Sequence, residues 1–155
     1  MNSNARTLIL FDATIGKKAI VAVTGLVLFG FVISHMLGNL QVFLGPEVFN
    51  AYAASLKSTP LLLWGVRTVL LVSVVLHVVF SILLVLESNR ARPVAYRSKH
   101  SVATSYAART MKFSGPLLAV FILYHLAHFT WPGVAMAAYQ HQPHDVYANF
   151  VNAFQ

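Results

Sequence analysis

Three stretches of this chain, about residues 19–44, 61–86 and 113–131, are apolar throughout, and each carries a histidine well inside it: His35, His77 and His125. A bilayer's hydrocarbon core is ~30 Å thick and takes ~20 helical residues to cross. None of the three stretches contains Asp, Glu or Lys, and only Arg67, near the start of the second, brings a fixed charge. Charged residues make up 10% of the chain, against 57% hydrophobic, too few to coat a soluble globule of 155 residues. The fold class expected is therefore all-α: a transmembrane helical bundle of three spans in a single membrane-anchor domain, residues 1–155. A cleaved signal peptide does not fit the first stretch, whose apolar run is too long and is followed by no clear small-residue cleavage site.

The net charge of +7 raises the question of nucleic acid, and the placement of the charge answers it. Arg6, Lys17 and Lys18 precede the first span. Arg90, Arg92, Arg97, Lys99, Arg109 and Lys112 fill the segment between the second and third. The loop between spans one and two holds only Lys57, and the outer tail, residues 132–155, has no Lys or Arg. Along an in–out–in–out path this asymmetry makes the N-terminus and the 87–112 loop cytoplasmic. The basic balance reports topology and lipid head groups, with no nucleic acid implied. The 91–112 segment is either a docking surface for a soluble partner or a solvated loop on anionic lipid.

The chain has no cysteine. Disulfides, thiolate-bound iron–sulfur clusters and covalent c-type haem are all excluded, leaving histidine as the strong metal ligand. Ionisable side chains at membrane depth are costly and mark function by default. Two imidazoles from facing helices make a six-coordinate, electron-transferring haem, and three histidines on three successive spans favour ligation over plain hydrogen bonding between helices. His128 lies three residues after His125 on nearly the same face and is the alternative ligand, although His125 is deeper. His100, His141 and His144 read as surface residues. At ~1.5 Å per helical residue, His35 lies ~25 Å from the cytoplasmic end of its span, His77 ~16 Å and His125 ~20 Å. That spacing permits two haem levels.

Between these landmarks the chain shows smaller signals. Asp12 or Thr14 is a possible N-cap for the first helix. Gly30, Ser34 and Gly38 recur every four residues as one small-residue stripe, suited to close helix packing or to a flat macrocycle lying on the backbone. Gly45-Pro46 marks a turn, and Glu47 to Lys57 repeats Phe49, Tyr52, Ala53 and Leu56 at the spacing of a surface helix ended by Pro60. An amphipathic piece runs from Asp145 to Gln155. No paired carboxylates, G-x-S-x-G or phosphate-binding glycine loop is present, so redox chemistry must come from a bound cofactor.

The stretch His35-Met-Leu-Gly-Asn-Leu-Gln-Val-Phe-Leu-Gly, followed by Asn50-Ala-Tyr-Ala, resembles the cytochrome b membrane-anchor subunit of succinate dehydrogenase and fumarate reductase, in its single-subunit, dihaem type. Ile15-Gly-Lys-Lys, Thr24-Gly-Leu, Ala91-Arg-Pro-Val-Ala-Tyr and Tyr124-His-Leu-Ala-His-Phe fit the same family, so the resemblance covers nearly the whole chain. It implies an anchor in a bacterial inner (cytoplasmic) membrane that passes electrons between the iron–sulfur subunit and a quinone, menaquinone in kind, through haem b. By position, His35 and His125 would ligate the haem nearer the outer surface, and His77 would supply one ligand of the haem nearer the cytoplasm. The family's dihaem members have five spans, with the remaining ligand on the fourth. This sequence stops at Gln155, where that span should begin: it is a fragment, or another chain supplies the rest, or it is a one-haem variant.

The partners so implied are the flavoprotein and iron–sulfur subunits on the cytoplasmic side, where the dicarboxylate chemistry is done, together with membrane lipid, quinone and further copies of the complex. Two other readings stay open. A cytochrome b anchor of a hydrogenase or formate dehydrogenase also carries histidines on its spans, and would co-purify without flavin. A transporter or assembly protein using histidines as proton relays or transition-metal ligands would show no Soret band.

Overall fold

Long apolar runs produce long helices, and they tolerate the glycines within them and Pro116 inside the third. The structure is a computed structural model that describes residues 12–92, 94, 104–131 and 141–154. Its helices are α1 (Thr14–Asn39), continued by a 3₁₀ segment (Leu40–Leu44), α2 (Pro46–Lys57), α3 (Pro60–Arg90), α4 (Tyr106–Phe129) and α5 (Val146–Asn152), with no strand among the described residues. Thr14–Leu44, Pro60–Arg90 and Tyr106–Phe129 are each long and apolar enough to cross a membrane. Their side chains point outward: Leu61 is 87% exposed and Phe113 80%, surface that lipid or further helices suit and water does not.

Two ends run past the apolar stretches. α3 continues beyond Leu86 through Glu87-Ser88-Asn89-Arg90, and α4 starts at Tyr106, seven residues before Phe113. The connecting loop is correspondingly shorter than residues 87–112, and Arg109 and Lys112 are helical. Ser105 explains the early start, since its side chain accepts the Ala108 N–H at 3.3 Å and caps the helix. At the head of α1 the expected caps are not used. Ala13 occupies the cap position with no side-chain bond, and Thr14 Oγ1 instead donates to Glu87 Oε2 at 3.4 Å. Between the first two helices, Gly45 adopts φ +97°, a left-handed turn in which a side chain is strained, and Pro46 opens α2.

The described parts of Met1–Phe43 and Ala54–Ala95 pack as one unit, and those of Leu44–Ala53 and Tyr96–Gln155 as a second. In the first, α1 and α3 lie antiparallel. Near one end Lys17 Nζ is ion-paired with Glu87 Oε1, with the lysine side chain only 12% exposed. Lys17 is therefore committed to α3, beyond any role at the lipid interface. Further along, Thr24 meets His77. Beyond that the helices part into an apolar groove of about 670 Å³, bordered on α1 by Val27, Phe31 and Ser34. The small-residue stripe does not bring the two backbones together at Gly30, where an added Cβ would meet nothing within 4 Å. Close approach occurs at Gly25 instead, where a Cβ would lie 3.1 Å from His77 Cε1.

In the second unit, α2 and α5 pair through aromatic and amide side chains. Phe49 is 3% exposed and meets Phe150 edge-on at 6.2 Å. Asn50 uses both ends of its amide: Nδ2 donates to Asp145 Oδ1 at 3.0 Å, and Oδ1 accepts the Tyr147 N–H at 3.0 Å. Asp145 Oδ1 also accepts the Ala148 N–H at 2.8 Å, capping α5. The Ala148 N–H first, and the Asn50 amide second, hold the Asp145 carboxyl below its ordinary value, with burial opposing them.

A depressed carboxylate contributes stability that is intact above its unfolded pKa and lost as pH falls through the folded one. Acidification below the ordinary carboxylate range is therefore expected to loosen Val146–Asn152 ahead of the long helices. Asp145→Ala should reproduce that loosening at neutral pH, whereas Asp145→Asn, itself a good cap, should resist it. Amide hydrogen exchange across residues 146–152, followed against pH, reads both outcomes.

Candidate functional site

His77 sits a little past the middle of α3, where its ring meets α1. Its Nδ1 lies 3.1 Å from Thr24 Oγ1. The same hydroxyl lies 2.7 Å from the Ile20 carbonyl oxygen one turn back, and 3.2 Å from that of Val21. A hydroxyl has one proton to give. Two oxygens 2.7 Å apart repel unless that proton lies between them, so the Thr24 hydroxyl donates to Ile20. Its lone pair then accepts Nδ1–H from His77. With Nδ1 carrying the proton given to Thr24, Nε2 is the ring nitrogen left to ligate a metal. Gly25 makes the contact possible by bringing the α1 backbone against the Cε1 edge of the ring.

His35 lies on the exposed surface of α1, stacked on Phe31 one turn before it, with ring centres 5.1 Å apart and planes 22° from parallel. Its backbone carbonyl accepts the Asn39 side-chain N–H at 2.7 Å. His125 on α4 repeats the arrangement with Phe121: 5.8 Å and 25°. The Phe-x-x-x-His spacing was present in the sequence on both spans and was not singled out there. It places an aromatic ring directly beneath each imidazole, limiting the ring's rotation in an apolar setting.

His128 behaves differently. It is 7% exposed and packed among Tyr124 at 5.5 Å and Phe129 at 4.7 Å, whereas His125 is half-buried against Phe129 at 5.2 Å. His141 and His144 are exposed, in keeping with surface residues, while His100, Arg97 and Lys99 fall outside the described residues.

Comparison with family models, curated proteins and solved structures finds no match to this chain. The argument for a site therefore rests on the chain's own geometry. His35 and His77 belong to the first unit, and His125 and His128 to the second. Among the described residues no three His, Cys, Asp or Glu side chains gather as a metal site. Haem iron needs only two protein ligands, one on each face, so its requirement is a properly presented imidazole rather than such a cluster. The donor set fits haem b on that test: imidazoles, no thiolate in the chain, and in His77 a ring whose Nδ1 is taken up by Thr24, leaving Nε2 as the ligating nitrogen. Thr24 is the residue that sequence reasoning missed. It appeared only within Thr24-Gly-Leu, and its role depends on which side chain of α3 comes to lie opposite.

Proposed function

We propose that this chain is a haem b-binding membrane anchor of a succinate:quinone oxidoreductase, with His35, His77 and His125 as the residues that would hold haem iron. Haem b, when bound, supplies a one-electron change at iron between the iron–sulfur subunit on the cytoplasmic side and membrane quinone. The chain's own residues hold and orient the imidazoles, with Phe31 and Phe121 stacked on two of them. The observation that carries the reading is the contact of His77 Nδ1 with the Thr24 hydroxyl at 3.1 Å, the same hydroxyl lying 2.7 Å from the Ile20 carbonyl oxygen, which directs Nε2 to a ligand. A histidine serving only as a helix–helix tie has no need of a particular free nitrogen. The resemblance of the His35 to Gly45 stretch and of Tyr124 to Phe129 supplies the kind of complex. A bacterial cytoplasmic membrane and the inside location of the N-terminus belong to the same proposal, the latter on the distribution of Lys and Arg.

The test is a reduced-minus-oxidised spectrum of the purified membrane complex, with a pyridine haemochrome assay giving haem b per copy of the chain. Two haems support ligation by all three histidines, with the partner of His77 outside these residues. One haem supports a single site. A preparation with no Soret band removes the cytochrome reading.

A further inference from the structure

We propose that Thr24 is a positioning residue for His77: by accepting its Nδ1–H, the Thr24 hydroxyl sets both the direction and the donor strength of Nε2 toward haem iron. The inference rests on the haem-anchor reading and goes beyond it, because nothing in the identity of the ligands says which group on α1 tunes them. Three observations converge on this residue. The Thr24 side chain is buried, at 7% exposure, among apolar neighbours. Its only proton is engaged by Ile20 O at 2.7 Å, leaving a lone pair 3.1 Å from Nδ1. Gly25, the next residue, leaves the space that the His77 ring uses: an added Cβ would lie 3.1 Å from His77 Cε1. Thr24 and Gly25 thus form one seat for one ring edge, the first through a hydrogen bond and the second through space.

The chemistry of the bond gives its sign. An acceptor on Nδ1–H pushes electron density through the ring to Nε2 and makes it the better donor, which favours ferric over ferrous iron. Loss of such an outer acceptor typically weakens a metal site 10–100-fold, by order of magnitude. Thr24→Val keeps the shape of the side chain and removes the acceptor, so the haem held by His77 should become easier to reduce. A tenfold preferential loss for the ferric form appears as an upward shift of about 59 mV in a one-electron midpoint.

The experiment compares Thr24→Val, Thr24→Ser, Gly25→Ala and His77→Ala in the whole complex. It reads haem b per chain, the midpoint potential of each haem, and the g-values of the low-spin ferric signal. Thr24→Val should raise one midpoint and move one set of g-values, leaving any other haem as it was. Thr24→Ser, which retains the hydroxyl, should restore both. Gly25→Ala, which pushes the ring off its seat without touching the hydroxyl, should shift the same haem in the same direction, and it carries the test should Thr24→Val not accumulate. If His77→Ala removes a haem signal while Thr24→Val and Gly25→Ala leave its potential and g-values unchanged, Thr24 is packing alone and the proposal fails. If His77→Ala leaves the haem complement intact, it is the ligand reading that fails, and the Thr24–His77 bond is a tie between helices.

Discussion

On the proposed haem-anchor reading, His77→Ala is expected to yield a folded, membrane-inserted chain that has lost one low-spin haem signal. Two separate arguments lead there. The first concerns stability. The ring is held between Thr24 and Gly25, but the Thr24 proton goes to Ile20 whether or not His77 is present, so truncation orphans no donor. Leaving a donor buried and unsatisfied would cost ~1–3 kcal/mol; here that cost does not arise, and only a lone pair and some packing are lost. The antiparallel pair of α1 and α3 keeps its Lys17–Glu87 contact, and Ser73 and Phe80 of α3 are buried independently of the imidazole. The second concerns the cofactor. Alanine supplies no nitrogen ligand, so a haem that His77 would hold should be lost from the variant or change its spectrum. The two measurements are therefore haem b per chain together with thermal unfolding of the complex in detergent. Loss of haem with little change in unfolding is the expected pair. Full haem content in the variant would remove His77 from the ligand set.

The residues that matter in this prediction show where sequence reasoning reaches and where it stops. The three long helices were legible because lipid-facing helices need apolar side chains over their whole circumference, a pattern with no competing explanation at this length. α2 was legible from Phe49, Tyr52, Ala53 and Leu56, and α5 from Asp145 followed by an amphipathic run; both are present, as Pro46–Lys57 and Val146–Asn152. The first turns of α4 were not, because Tyr106 to Lys112 is polar and basic. Its helicity depends on the Ser105 cap and on continuation of a helix already formed downstream, not on hydropathy. The cap of α1 was misread for a related reason: Thr14 has a better partner in Glu87, seventy-three residues away. The stripe at Gly30 and the seat at Gly25 make the same point. Both are small residues on one helix, and only the position of α3 decides which one is used.

Phe49→Ala is expected to destabilise the second unit by about 3–5 kcal/mol, the usual cost of truncating a buried aromatic, and to release α5 before any long helix unfolds. Phe49 is the most deeply buried hydrophobic side chain among the described residues, at 3% exposure, in a chain that otherwise turns its apolar surface outward. No large reserve of buried core exists to absorb the loss. Its ring packs edge-on against Phe150, an arrangement worth ~0.5–1.5 kcal/mol beyond the area it buries. Phe150 in turn stacks on Phe129 at 6.4 Å and meets Phe154 at 5.2 Å, and Phe129 lies against both His125 and His128. Phe49 is thus the outermost member of an aromatic chain that ends on the imidazoles of α4. The amide network cannot hold α5 alone. Asn50 bonds Asp145 and the Tyr147 N–H, and Asn149 Nδ2 donates to the Gln142 carbonyl at 2.6 Å, but once the rings no longer exclude water each of these exchanges for a bond to solvent. Limited proteolysis should show the difference first, as cleavage within residues 141–154 of the variant under conditions that leave the parent intact, with Phe49→Leu in between because it retains much of the buried surface. Equal protease resistance in Phe49→Ala and the parent would mean that the hydrogen bonds, and not the aromatic packing, secure α5 to α2.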